Sequence, residues 1–251
     1  MSDQESFMSH LIELRQRLVR AVGAVLVLFL IFIFWPGSGT IYDFLAAPLM
    51  SALPEGATLI AIGVITPFMV PMKVTALAAF VVALPYVLYQ AWAFVAPGLY
   101  EHEKKLAAPL VVASSVLFIS GMAFCYYIVF GRVFTFIHNF APKSITPAPD
   151  IEAYFSFVIT MFLAFGVTFE IPIVVILLVR MGIVSVEKLR DARPYVIVGA
   201  FVVAAVVTPP DVLSQFMLAL PMCLLYEAGL FLARFISVRQ KEQSDYKAES
   251  G

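Results

Sequence analysis

Charge is scarce in this sequence: Asp, Glu, Lys and Arg make up 13% of its 251 residues, against 62% apolar side chains. A soluble domain of that size cannot hide so much apolar surface, and a mean hydropathy of +0.95 reads as a polytopic membrane protein. Cysteine is nearly absent. Cys125 and Cys223 both fall in apolar runs, which excludes a disulfide framework and a metal centre built on thiols. Histidine is as rare: Glu101-His102-Glu103-Lys104-Lys105 lacks the second histidine of a zinc motif, and His10 and His138 fall on opposite predicted sides. There is no Gly-x-Ser-x-Gly elbow and no phosphate-binding Gly-x-x-x-x-Gly-Lys loop, so no ATP chemistry and no cofactor is expected. The N-terminus lacks a short apolar core followed by a small-residue cleavage site, so the first span is expected to remain as the insertion signal. No internal repeat relates the two halves.

What the chain has is six apolar segments. They predict an all-α integral membrane protein of six transmembrane helices, with short fifth and sixth spans and a structured external loop cap. A single six-span domain is expected over residues 1–238. An amphipathic helix covers about 8–20, and spans cover about 18–35, 73–95, 106–130, 153–179, 195–207 and 212–233; the polar tail 239–251 reads as disordered. Pro36-Gly37-Ser38-Gly39 is expected to end the first span and Pro85 to kink the second. Pro48, Pro54, Pro67 and Pro71 punctuate the long loop 36–72 and suggest a cap lying on the membrane. The fourth span holds Glu170 ahead of Pro172. The fifth has about 13 residues, or ~20 Å of helix, clearly less than the ~30 Å hydrocarbon core.

The basic residues fix the number of crossings. Of the 16 Lys and Arg, only Lys73, Arg132 and Lys143 belong to one side; the others gather at the two termini and in the second and fourth loops. This bias puts both termini in the cytoplasm and requires an even number of spans.

Polar groups where they are costly are the candidates for function. Ser9 reads as the N-cap of the helix Ser9–Arg20, whose Leu11, Leu14 and Leu18 form an apolar stripe. Glu13 stands there among arginines, and the plain structural explanation is an i,i+4 pair with Arg17, contributing ~0.3–0.5 kcal/mol. Glu103 falls on the same predicted side, either paired with Lys104 and Lys105 or open to a cationic partner. A carboxylate at Glu170, well inside a span, costs roughly 2.5–3.5 kcal/mol on insertion scales and more by other measures. It is either a protonated structural group or a functional one. Glu227 is nearer a span end, where it can snorkel. Asp211 follows two prolines, where helix capping competes with function. Thr208 and Gln215 cluster at the thin end and could hydrogen-bond a helix of another chain.

His10-Leu11-Ile12-Glu13-Leu14-Arg15-Gln16-Arg17 and Ala91-Trp92-Ala93-Phe94-Val95-Ala96-Pro97-Gly98-Leu99-Tyr100-Glu101-His102-Glu103 resemble the multispanning C subunit of twin-arginine protein translocases, the TatC family. So do Ala164-Phe165-Gly166-Val167-Thr168-Phe169-Glu170-Ile171-Pro172, Arg193-Pro194-Tyr195 and Thr208-Pro209-Pro210-Asp211-Val212-Leu213-Ser214-Gln215. The likeness covers roughly residues 8–238 in order. It implies a non-enzymatic receptor in the bacterial inner membrane for folded precursor proteins whose signals carry two consecutive arginines, with export driven by the proton-motive force. It also implies signal binding by Glu13, Glu103, Phe94, Arg15 and His10, and intramembrane roles for Glu170, Tyr126 and Pro85. A- and B-type single-span subunits would dock near Thr208, Gln215 and Asp211, and Pro48 and Phe68 would serve the external cap. Self-association and lipid contact are implied too, and nucleic acid is not. Two other classes stand beside this. A proton- or ion-coupled solute transporter would use Glu170 as its carrier site, and an intramembrane hydrolase lacks a nucleophile and base.

Overall fold

The computed structural model describes residues 3–50, 59–95, 104–140, 150–208 and 211–249, with side chains left undescribed at 3–7, 47–49, 95, 104–107, 137–140 and 236–249. Its helices are α1 (Asp3–Phe32), α2 (Ser38–Met50), α3 (Thr66–Val95), α4 (Lys104–Phe124), α5 (Phe130–Phe140), α6 (Ile151–Phe169), α7 (Ile171–Arg180), α8 (Val186–Asp191), α9 (Arg193–Val207) and α10 (Val212–Glu249). Among the described residues the only strand-like pairing is an isolated parallel bridge between Ile60 and Asp150. Five helical stretches among the described residues are long and apolar enough to cross a membrane: Met8–Ala46, Thr66–Phe94, Ala108–Phe136, Ile151–Arg180 and Val212–Phe235. Arg193–Val207 is a sixth, short apolar helix of 15 residues, about 22 Å long at 1.5 Å per residue.

The all-helical, short-fifth-span expectation holds, with differences of local cause. Helix α1 begins at Asp3, so Ser9 is an interior helical residue and not an N-cap. The helix breaks at Trp35, whose φ of −152° and ψ of 122° are extended; a residue before proline is pushed out of the α region. Gly37 then turns the chain at φ +98°, a left-handed conformation that glycine adopts without a Cβ clash. Helix resumes at once as α2, so the loop's first part is helical. The second membrane helix starts at Thr66, earlier than expected, and runs as helix through Pro71 and Pro85. The sixth apolar stretch is not short: Val212–Phe235 has 24 residues, about 36 Å of helix. Beyond it, α10 continues to Glu249, so the tail expected to be disordered is helical.

The chain divides into two compact units, Met1–Val116 with Ala141–Ile159, and Leu117–Phe140 with Thr160–Gly251. In the first, α1 lies along α3, and α2 packs on α3. A core of Ala46, Val70, Val74 and Phe155, flanked by Tyr42, Leu45 and Leu59, holds α2, α3 and the start of α6 together. Polar contacts pin the connecting loop. Lys73 Nζ donates to Glu152 Oε1 at 2.9 Å and Thr66 Oγ1 to Glu152 Oε2 at 3.2 Å. The Ile151 N–H donates to the Ile60 carbonyl at 2.9 Å, and Asp150 caps α6 through the Ala153 N–H at 3.1 Å. Residues 36–50 and 59–72 of the expected cap are thus held in helix or by hydrogen bonds, and Pro54 lies outside the described residues.

In the second unit, Val175, Tyr226, Leu230 and Ala233 form the core between α7 and α10, and the Tyr226 hydroxyl donates to the Leu189 carbonyl at 2.6 Å. Small residues let backbones approach. A Cβ on Gly121 would collide with the Phe165 carbonyl oxygen, and one on Gly166 with the Phe118 ring. A Cβ on Gly131 would meet nothing within 4 Å. We therefore expect Gly121→Ala, which strikes backbone that cannot swing aside, to destabilise by about 1–3 kcal/mol. Gly131→Ala should be neutral or stabilising by up to about 1 kcal/mol. Melting temperatures of the purified variants in detergent would check this; equal melting of the two would contradict the packing.

Candidate functional site

The first unit gathers three of the expected signal-binding residues. Each helical residue turns about 100°, so His10, Glu13 and Arg17 fall within about 60° of one another on α1. The His10 imidazole stacks on Phe94 of α3, with ring centroids 4.4 Å apart and planes 22° apart. The end of α3 is anchored from behind. Trp92 and Ala93 are buried, and Trp92 Nε1 donates to Ser114 Oγ of α4 at 2.8 Å. That bond satisfies an indole N–H which burial would otherwise leave costly.

Glu13 makes the i,i+4 pair that the helical spacing suggests. Arg17 Nη2 reaches Glu13 Oε1 at 2.6 Å and Nε reaches the same oxygen at 2.8 Å, with the two side chains 23% and 38% exposed respectively. A carboxylate held half in water and half against a helix face can exchange one guanidinium for another. Arg15 is exposed and lies about 160° round the helix from Glu13, so the fold does not bring it to this face. Glu103 lies outside the described residues.

The remaining candidates sit elsewhere. Pro48 lies in α2, its side chain outside the described residues, while Phe68 is exposed on the first turn of α3 and Pro85 is exposed further along it. In the second unit Glu170 is only 7% exposed, at the break between α6 and α7. Pro172 lacks an N–H and cannot continue the helical ladder. Instead the Glu170 N–H donates to Val167 O and its carbonyl accepts from Val174, each at 3.0 Å. Tyr126 occupies a wide π-helical turn, Cys125–Val129, stacked on Phe162 at 6.2 Å and edge-on to Tyr127 at 5.0 Å. Such turns recur at functional sites.

At the thin end Asp211, Thr208 and Gln215 are engaged within the chain. Asp211 Oδ1 accepts the Ser214 N–H at 2.6 Å, which is the N-cap geometry of α10. Thr208 is buried and donates to Ala204 O at 2.8 Å, and Gln215 Nε2 donates across to Phe201 O of α9 at 3.2 Å. Glu227 is paired with Arg193. A further polar group, not among the sequence candidates, is Gln90, one turn before Phe94: it is 4% exposed and its Oε1 has no hydrogen-bond partner among the described residues. Its signal in the sequence is an amide inside an apolar run.

This is a multi-pass, all-helical membrane protein in which His10, one turn from an acid on α1, stacks on an aromatic ring at the end of α3. Among the described residues no three of His, Cys, Asp and Glu could hold a metal. The family model described as Sec-independent protein translocase protein (TatC) matches residues 9–221. The Haemophilus influenzae Sec-independent protein translocase protein TatC is 48% identical over 97% of this chain and 94% of its own length. The Escherichia coli K12 protein of the same description is 48% identical over 94% of this chain and 90% of its own length. A crystal structure of a twin-arginine translocase receptor, TatC, superposes with a TM-score of 0.79 at 36% identity, covering 91% of this chain and 99% of that one. The chain belongs to the TatC family, and is a component of the Sec-independent protein translocase, a transport protein of the membrane.

The cap geometry carries a prediction of its own. Asp211→Ala should lower stability by about 0.5–2 kcal/mol and Asp211→Ser by much less, since serine can also cap. Melting of the two variants side by side would test this, and equal loss in both would assign Asp211 a role beyond capping.

Proposed function

We propose that the chain is a receptor for twin-arginine signals of folded precursor proteins, binding them at the cytoplasmic membrane face through Glu13 and Glu103. The observation that carries this is Glu13, half-exposed on the α1 face that stacks His10 on Phe94 and already holding a guanidinium. Arginine's planar fork binds a carboxylate bidentately, which an ammonium cannot copy. An i,i+4 pair on a helix contributes about 0.3–0.5 kcal/mol, whereas a hydrogen bond to a charged group contributes roughly 1.5–3 kcal/mol. A signal arginine that spans both carboxylate oxygens with its fork competes at a partly dehydrated interface with Arg17, whose Nη2 and Nε share the one oxygen Oε1. Glu103 takes the second arginine, and Phe94 with His10 forms the apolar wall beside the pair.

In this reading both termini are cytoplasmic, the membrane is the bacterial inner membrane, and the proton-motive force drives transport. The single six-span domain carries the whole receptor. A- and B-type subunits dock at the thin end near Thr208, Gln215 and Asp211. Glu170, with Tyr126 and Pro85, tunes insertion of the signal's apolar segment, and Pro48 and Phe68 serve the outer cap. The chain self-associates in the receptor complex.

Crosslinking of a twin-arginine signal to stably inserted Glu13→Ala and Glu103→Ala variants is the test. Loss of crosslinking in both is expected, and undiminished crosslinking in both overturns the reading. For Glu170, a Glu170→Leu variant should insert normally yet export poorly; full export would leave that residue a structural role alone.

A further inference from the structure

We infer that Gln90 is a third binding group of the signal site, its amide carbonyl accepting an N–H of the arginine held at Glu13. The inference rests on the receptor reading above and assigns a residue that reading leaves unused. Three observations converge on it.

The first is register. Helices α1 and α3 pack along their length, and the His10–Phe94 stack fixes which levels meet. Four residues on from His10 in α1 and four back from Phe94 in α3 bring Leu14 level with Gln90, between Glu13 and Arg17. The same register sets Ala21 opposite Ala83, and both are buried, as close helix contact requires. The second is facing. Gln90 lies about 40° round α3 from Phe94, on the side that Phe94 presents to α1. Packed helix axes stand about 8–10 Å apart, within reach of a glutamine and a glutamate side chain from either side. The third is the amide itself. Gln90 is 4% exposed, and its Oε1 has no hydrogen-bond partner among the described residues. A buried carbonyl left unmatched is costly and uncommon, and one placed level with an exchangeable carboxylate–guanidinium pair is suited to a donor that arrives with the ligand.

The chemistry favours arginine. A guanidinium has five N–H donors, and a carboxylate fork uses two of them. At a partly dehydrated interface the others need acceptors, and an amide carbonyl supplies one without adding charge. Lysine presents its donors from a single point and cannot span a carboxylate and an amide in one plane. Gln90 is thereby a determinant of arginine-over-lysine specificity.

The test uses the full chain in detergent or nanodiscs. Two synthetic signal peptides serve as probes, one with consecutive arginines ahead of an apolar stretch and one with lysines in their place. Gln90→Met, close to glutamine in shape but without the acceptor, should weaken the arginine peptide about tenfold. The affinity ratio between the peptides should shrink accordingly, with melting temperature unchanged or raised. Gln90→Glu, which keeps an acceptor, should retain the preference and guards against a misfolded methionine variant. Gln90→Met that binds both peptides as the parent does, or that loses both in proportion to a lowered melting temperature, overturns the inference. So does loss of the arginine preference in a well-folded Gln90→Glu. Glu13→Ala runs in parallel. If it binds the arginine peptide undiminished, the receptor reading falls and this inference with it; if it weakens binding while Gln90→Met does not, only the inference about Gln90 falls.

Discussion

Lipid offers no hydrogen bonds, so every backbone N–H and C=O within the membrane must find its partner inside the protein. That constraint makes the described chain almost wholly helical, and it gives every interruption of helix a cost that side chains or turns must offset. The interruptions are few and each has a chemical cause. Trp35 is forced out of the α region by the proline after it, and Gly37 turns the chain back into helix. At Glu170 the ladder is bridged by the tighter Val167 contact, ahead of the proline that cannot donate. After α9, Asp211 supplies the acceptor that starts α10. Two of these breaks hold residues that the family likeness marks as functional. The coincidence is physical: a break is where a polar side chain can be kept in an apolar environment without standing alone.

Ion pairs divide by what they join. Lys73–Glu152 connects α3 to α6, and Arg193–Glu227 connects α9 to α10, so dissolving either loosens one helix against another. Glu13–Arg17 connects one turn of α1 to the next. The tertiary structure gains little from that pair and loses little when it opens. Of the three acids, Glu13 is the one whose partner can be replaced without disturbing the packing, as the proposed receptor role requires. Its position is secured by other means, the His10–Phe94 stack and the Trp92–Ser114 bond that steadies the end of α3.

The sequence was legible where hydropathy and spacing decide the outcome. Apolar run lengths identify the membrane helices and the short α9, the i,i+4 spacing predicts the Glu13–Arg17 pair, and the prolines before Asp211 mark a helix start. It was less legible where a helix outruns its apolar stretch. Ser9 carries the chemistry of an N-cap, yet helix begins at Asp3, because polar residues upstream also accept helical geometry. The same holds at the far end, where α10 continues through a polar tail. Arg15 belongs to the same motif as Glu13, and only the helical turn separates them. Gln90 is not legible from sequence because an amide in an apolar run carries no charge; its burial, which sequence alone does not give, is what distinguishes it.

The thin end illustrates how internal bonding narrows what a partner can recognise. Thr208 is buried with its hydroxyl donated to Ala204, and the Gln215 Nε2 is donated to Phe201. Both groups have spent a donor on α9 and retain acceptor capacity. A single-span subunit docking there, as proposed, can offer a donor to either group, and an acceptor only to the second N–H of Gln215. The surface around these groups is apolar and open, with Val206 80% and Val212 70% exposed. Since lipid is as apolar as valine, such a surface does not drive association by itself. Close packing then supplies the contact and the few polar groups its register, so that a short helix next to a break serves partner choice better than a longer, uniformly apolar one.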